Sequence, residues 1–145
     1  MASIKRSEAR EEVFCLLFES EFHGDKSAEE IIALADEVRE FTENCDDRQK
    51  SYIHRAYLGV RGKLEELDSY ISRHSNGWRP DRIAPVSRSI LRLCIYEMLY
   101  EEDVPAAVAL NEAIELAKKF DEPRAKSFLN GILHGVKTEL EEQKA

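Results

Sequence analysis

The sequence predicts an all-α fold, and three observations carry that prediction. Read as a helix, the stretch Val86 to Tyr100, VSRSILRLCIYEMLY, puts apolar side chains at Val86, Ile90, Leu91, Leu93, Cys94, Ile95, Met98 and Leu99, nearly all the way round. A helix apolar on most sides belongs in the middle of a core. Elsewhere apolar residues recur in steps of three and four, the helical period. No segment alternates apolar and polar residues as a half-buried strand would, and no internal repeat or low-complexity stretch interrupts the pattern.

Taken in order, Lys5-Arg6-Ser7-Glu8-Ala9-Arg10 leads into Ala9, Val13, Phe14, Leu17, Phe18 and Phe22, which share one side of a first helix closed by Gly24. Ser27 and Glu30 have the spacing of a capping box, each side chain satisfying a free amide of the other. They open a second helix with Ile31, Leu34, Ala35, Val38, Phe41 and Cys45 inward and its acids outward. Asp46 or Asp47 can cap a third helix, whose stripe is Ile53, Tyr57, Val60, Leu64, Leu67 and Ile71. That stripe covers fewer than three heptads, so it fits a helix inside a bundle better than a coiled-coil dimer.

Asn76-Gly77 ends the third helix, and Trp78 to Ile83 reads as a connector with Trp78 as a plug between two helical layers. Pro85, which has no amide hydrogen to lose and a preset φ, suits the first residue of the central helix, and Asp103 with Pro105 ends it. The exceptions on that helix are Arg88 and Arg92, one turn apart on one face, with Ser87 beside them and Glu97 further on. Pro105 opens a helix carrying Leu110, Ala113, Ile114, Ala117 and Phe120. Asp121 and Glu122 then sit where the first amides of a last helix welcome negative charge, before Ala125, Phe128, Leu129, Ile132, Leu133, Val136 and Leu140. The expected organisation is a single domain over residues 1–145, with one helical subdomain at about 3–75 and another at about 78–142, three helices each around the central one.

At 145 residues the chain is long enough to bury a core without metal or disulfide staples. No apolar run approaches the roughly 18 residues needed to span a bilayer, and the first residues resemble neither a signal peptide nor a transit sequence, which points to the cytoplasm and away from a membrane. Cys15, Cys45 and Cys94 are odd in number, widely spaced and set in helical apolar patterns, so they read as small buried thiols. The net charge of −8 argues against coating nucleic acid by bulk electrostatics. Its distribution is uneven: Glu19 to Asp47 holds eleven acids against Lys26 and Arg39, a local −9, while Arg79 to Arg92 holds four arginines against Asp81, a local +3. A basic face is therefore compatible with an acidic chain.

Little in the sequence announces catalysis. His23, His54, His74 and His134 have no Cys, Asp or Glu around them at a zinc-binding spacing, so no metal or other cofactor is expected. There is no Gly-rich phosphate loop and no G-x-S-x-G elbow, and acid pairs such as Glu65-Glu66 read as solvated helix surface. Two patterns exceed ordinary bundle grammar. Asn111 sits where a helix prefers Ala or Leu, and Asn130-Gly131 lies inside an otherwise strong helix, at a cost of about 1 kcal/mol for the Gly. Gly131 would let another helix come close, and the two asparagines could bond to backbone within the bundle.

These last residues carry a resemblance. The run SILRLCIYEMLYEEDVPAAVALNEAIELAKKFDEPRAKSFLNGIL resembles the C-terminal half of the NusB family of bacterial transcription antitermination factors, and Trp78, Arg82, Ile83, Val86-Ser87-Arg88 and the helix from Arg6 to Phe18 fit the same family. The family fold is all-α with two three-helix subdomains, in agreement with the reading above. The resemblance implies a non-enzymatic factor that pairs with ribosomal protein S10 (NusE), recognises single-stranded boxA-like RNA of ribosomal-RNA leader transcripts, and joins an antitermination complex on RNA polymerase. The family's arginine-rich RNA-binding segment falls on Lys5, Arg6 and Arg10, diluted here by Ser7, Glu8 and Glu12; a second RNA-facing region falls on Arg124, Lys126 and Phe128. Phosphate charges plus a stacking aromatic are common in single-strand recognition; Phe128 also fits the apolar stripe. For S10 the resemblance points to Phe18, Ser87 and Arg88. Both monomers and homodimers occur in the family. The alternative reading is a helical protein-interaction scaffold with weak or lost RNA binding.

Overall fold

The computed structural model describes residues 4–38 and 45–144, with the side chain of Val38 also left aside. Among these it contains seven α-helices and no strand: α1 (Arg6–Ser20), α2 (Ala28–Val38), α3 (Asp47–Gly62), α4 (Leu64–His74), α5 (Pro85–Tyr100), α6 (Ala106–Phe120) and α7 (Ala125–Lys144), with a 3-10 turn at Pro80–Arg82. None is long and apolar enough to cross a membrane. The expected inward positions Val38 and Phe41 lie outside what is described.

The chain falls into two compact units divided between Gly62 and Lys63. In the first, α1, α2 and α3 pack on one another through Val13, Phe14, Leu16 and Leu17, through Ile31, Ile32 and Ala35, and through Tyr52, Ile53, Ala56, Tyr57 and Val60. The start of α1 is set by Glu8, whose Oε1 accepts the Lys5 amide at 3.0 Å. Its end comes at Ser20, before the expected Gly24. There the Ser20 hydroxyl donates to the Leu16 carbonyl at 2.8 Å and meets the Tyr57 hydroxyl at 2.6 Å. The next amides tighten to carbonyls three residues back, a common way for a helix to finish. α2 opens with the expected box: Glu30 N–H donates to Ser27 Oγ at 3.1 Å, and Ser27 N–H to Glu30 Oε1 at 3.3 Å.

The third helix predicted as one continuous rod is two. Lys63 leaves the helical region at φ −128°, ψ 25°, directly after Gly62, the residue least committed to a helix. Leu67 and Ile71, expected to continue the stripe of α3, are buried instead in the second unit, where α4 packs on α5 and α7. That unit therefore has four helices rather than three, and the division lies at Gly62 rather than near residue 75.

Within the second unit α5 touches α4, α6 and α7, and Ile90, Leu91, Leu93, Cys94 and Ile95 are all buried. The sequence's apolar helix is the core of this unit. Pro85 is its first residue, as expected. Arg92 leaves the core through a two-pronged bond to Asp68 of α4, Nε and Nη2 each at 2.8 Å from a carboxylate oxygen, the geometry that makes an Arg–carboxylate pair strong. α4 is also tied to α7: Glu139 accepts from Arg73 at 2.7 Å and 3.2 Å and meets His74 Nε2 at 2.6 Å. His74 lies against Gly135, where a Cβ would come within 2.5 Å of His74 Nδ1. The close approach expected at Gly131 is thus found one turn later; a Cβ at Gly131 would meet no atom beyond its own helix backbone within 4 Å.

Trp78 is a second correction. It is 56% exposed and plugs no layer. The connector is held instead by its backbone: Ser75 Oγ donates to the Trp78 carbonyl at 2.5 Å, and Arg88 Nη1 donates to the Pro80 and Ile83 carbonyls at 2.9 Å each. Of the cysteines, Cys94 is buried and Cys15 and Cys45 are only half-buried, none of them in a disulfide.

Candidate nucleic-acid interface

The start of α1 brings together more cationic chemistry than its sequence advertises. Arg6 lies with its guanidinium carbon 4.2 Å from the centroid of the Tyr52 ring, and its Nε donates to Gln49 Oε1 at 2.7 Å. Stacking plus one directed bond fixes the side chain. Two terminal nitrogens of the fork remain without a further hydrogen bond among the described residues, the arrangement that suits a phosphate. Lys5 is exposed at the N-cap of α1.

Arg10 departs from expectation. It is only 4% exposed, with its guanidinium 5.8 Å from the Tyr52 centroid, so it does not project from a polar side of the helix. Positions 10, 13, 14 and 17 share the inner face of α1, which takes Arg10 inward with Val13, Phe14 and Leu17. A third guanidinium, Arg55 of α3, comes within 5.9 Å of the same ring from an exposed position. Tyr52 is itself completely buried, so it supports these cations and offers no face to a base. Tyr52, Gln49 and Arg55 were missed in the sequence reading. The signal was the inward register 49, 52, 53, 56 and 60 on α3, which places an aromatic ring where α1 crosses.

Glu8 also changes meaning. In the basic segment it looks like a dilution; in the structure its carboxylate holds the Lys5 amide, satisfying one of the free donors at a helix N-terminus and lying favourably in its dipole.

The other expected RNA-facing residues belong to the second unit. Arg124 precedes α7 with its side chain 93% exposed, 4.0 Å from Glu122. Lys126 is exposed and Phe128 half-buried in the first turn of α7. Asn111 is exposed on α6 and Asn130 half-buried on α7; neither side chain bonds to backbone among the described residues, contrary to expectation.

The three residues expected to meet S10 differ in availability. Ser87 is 5% exposed, and its hydroxyl donates to Asp121 Oδ2 at 2.6 Å. Arg88 is half-buried and committed to the connector carbonyls. Phe18 is half-buried in an aromatic ladder, 6.4 Å from the Phe14 centroid and 5.1 Å from that of Phe22, which is 64% exposed.

Comparison with known proteins decides the family. The model of the NusB family matches residues 7–138. The chain belongs to the NusB family. Among its relatives, the transcription antitermination protein NusB of Bacillus pumilus is 39% identical over 141 residues, covering 97% of this chain and all of that protein. The protein of the same name from Bacillus subtilis is 44% identical over 107 residues, covering 72% of this chain and 82% of its own. Of solved structures, T. maritima NusB superposes with a TM-score of 0.85 at 35% identity, over 94% of this chain and 93% of that one. A structure of antitermination factors NusB and NusE in complex with double-stranded RNA matches at a TM-score of 0.77 and 23% identity, covering 92% of this chain and 96% of that chain. At that identity the likeness speaks for the shared fold. The NusB family is one of transcription antitermination proteins and not of enzymes.

Proposed function

We infer that the protein is an antitermination factor that binds single-stranded, boxA-like RNA together with ribosomal protein S10 and so promotes ribosomal-RNA transcription by RNA polymerase in the cytoplasm. The single observation that carries the RNA reading is Arg6, fixed on Tyr52 and Gln49 with a free guanidinium edge. Pre-ordering matters because a floppy arginine gives up part of its binding energy in lost rotamer freedom. Lys5 and Arg6 hold phosphates from the first unit, and Arg124 and Lys126 from the second, with Phe128 as the aromatic of the second group. Arg10 acts from within, packed by the Tyr52 ring that also orders Arg6.

S10 docks around Phe18, where the ladder ends in the exposed ring of Phe22. In the second unit Ser87 and Arg88 contribute by holding Asp121 and the connector in place, so their removal would act on the local shape there.

About four phosphate contacts give a slope of log affinity against log salt of roughly −3, at about −0.7 per contact for a single strand. The test is titration of a boxA-like RNA and a scrambled strand, with and without S10, over a salt series. The reading expects weak binding by the chain alone, and binding with S10 that is tighter, steeper in salt and selective for the boxA-like strand. A pair that binds no better than S10 alone, or ignores scrambling, would leave the scaffold reading, which the burial of Arg10 and the capping role of Glu8 favour. Sedimentation of the free chain distinguishes monomer from homodimer.

A further inference from the structure

Outside the segment just described, α3 carries a groove of about 510 Å³ lined, among the described residues, by Asp47, Lys50, Ser51, His54, Arg55 and Leu58. On a helix these form two rows of one-turn steps, Asp47–Ser51–Arg55 and Lys50–His54–Leu58. We propose that this groove is a continuation of the RNA track, in which Lys50 and Arg55 take phosphates of the same strand that Lys5 and Arg6 hold. The inference rests on the RNA-binding reading above.

Three observations support it. First, Arg55 and Arg6 share one ring: with guanidinium carbons 5.9 Å and 4.2 Å from the Tyr52 centroid, they are no further apart than the sum of those distances, about 10 Å. That upper bound is about one Debye length at 0.1 M salt and a little over the roughly 8 Å at physiological salt, so the two act together on a strand that meets either, more strongly at low salt. Second, Arg10 stands 5.8 Å from the same centroid. Three guanidiniums are gathered around one buried ring on a chain of net charge −8. The attraction of each cation to a ring, about 0.5–2 kcal/mol, helps hold them there. Third, the groove suits a sugar–phosphate backbone. Ser51, at 3.4 Å from Arg55 Nη1, presents a hydroxyl, Leu58 an apolar wall, and His54 is held in place by Asp36 at 2.9 Å. Asp47 occupies the first turn of α3, where its charge favours the helix start. It repels phosphate from that end and leaves the Lys50–Arg55 stretch as the favourable path.

The groove supplies what the α1 segment lacks. Ser7 and Glu8 supply no cation, and Lys50 and Arg55 restore two to the same unit. Such contacts read charge and leave base identity to other residues.

The experiment uses the full chain with S10 and a boxA-like RNA over a salt series, comparing wild type with Arg6→Ala, Arg55→Ala, Arg55→Lys, Lys50→Ala and the double variant Lys50→Ala with Arg55→Ala, each checked by circular dichroism. Arg55→Ala and Lys50→Ala should each flatten the salt slope by about 0.7, and the double variant by about 1.4. Arg55→Lys should keep the wild-type slope, and scrambling the strand should leave the fold-loss caused by each variant unchanged. If Arg6→Ala flattens the slope while Arg55→Ala and Lys50→Ala leave it intact, the groove is off the track and the RNA reading of α1 stands. If Arg55→Lys loses as much slope as Arg55→Ala, Arg55 acts by packing on Tyr52 and the proposal is overturned. If wild type with S10 shows no binding beyond that of S10, both this proposal and the reading beneath it fall.

Discussion

Gly131 and Gly135 lie one turn apart in α7 and are expected to respond oppositely to alanine. In an open helical position, Gly→Ala stabilises by about 1 kcal/mol because the backbone loses less freedom on folding. A Cβ at Gly131 would meet no atom beyond its own helix backbone within 4 Å, so Gly131→Ala should gain about that much. At Gly135 a new Cβ would meet His74 Nδ1 at 2.5 Å, Cγ at 2.9 Å and Cβ at 3.3 Å. A turn of the ring alone does not relieve a clash that includes Cγ, so the whole His74 side chain must move, and its 2.6 Å contact with Glu139 is broken. A hydrogen bond to a charged group is worth about 1.5–3 kcal/mol when well shielded. Because the His74 and Glu139 side chains are 23% and 20% exposed, about 1–2 kcal/mol is the better figure here, and an off-rotamer His74 adds about 0.5–1.5 kcal/mol. Against the helical gain, Gly135→Ala should be net destabilising by about 1–2 kcal/mol. Urea unfolding followed by circular dichroism reads both variants. In a His74→Ala background the two tightest contacts, 2.5 and 2.9 Å, are gone and the 3.3 Å one to Cβ stays, and Gly135→Ala should turn stabilising by somewhat under 1 kcal/mol. If Gly135→Ala stabilises the wild type as much as Gly131→Ala does, the steric account of the α4–α7 contact is wrong.

Leu93→Ala or Ile90→Ala should cost roughly 2–5 kcal/mol in urea unfolding, since both are buried in α5; a loss well below 1 kcal/mol would deny that helix its place in the core. Arg10→Ala should lower stability measurably as well as RNA affinity, because a buried side chain over Tyr52 is removed. Lys5→Ala, at an exposed position, should reduce RNA affinity with an unchanged urea midpoint. The bond from Arg73, and then that from His74, holds the Glu139 carboxyl below its ordinary value of 4.5. A depressed carboxylate stabilises the fold above its unfolded value and loses that contribution as pH falls through the folded one. Glu139→Gln should therefore be less stable than wild type at neutral pH, and the gap should close only as pH falls below 4.5 and through the depressed folded value, a comparison open to urea titration at each pH.

The central helix was legible because composition alone betrays a helix buried on most of its circumference, and Pro85 marks its start without help from context. The break at Gly62–Lys63 was hidden for a physical reason. One Gly inside a helical pattern costs only about 1 kcal/mol, and the apolar spacing runs on to Ile71; that Leu67 and Ile71 serve a different unit from Val60 is decided by tertiary packing. Arg10 is the opposite case: its spacing to Val13, Phe14 and Leu17 placed it inward all along, and its charge outweighed that evidence. Trp78 misled in the same way, since a large aromatic suggests an anchor, whereas the connector is anchored by carbonyls that carry no residue identity. The cation cluster around Tyr52 was out of reach of a linear reading, because Arg6 and Arg55 are neighbours only after α1 crosses α3.

Glu8 places folding and recognition in competition at a single codon. A basic residue there would add a charge beside Lys5 and Arg6, and the same change would delete the carboxylate that holds the Lys5 amide at 3.0 Å. The loss of such a cap, about 0.5–2 kcal/mol, falls on the first turn, the one that carries Arg6. An added charge would then be offset by fraying of the cation already in position. Hydrogen exchange at the amides of residues 5–9 would register the fraying, and RNA affinity the charge. A lineage can therefore strengthen this site by basic substitutions at position 7, or on α3, more readily than at position 8. Chains that do carry Lys or Arg at position 8 should be found with another acceptor for the amide at position 5.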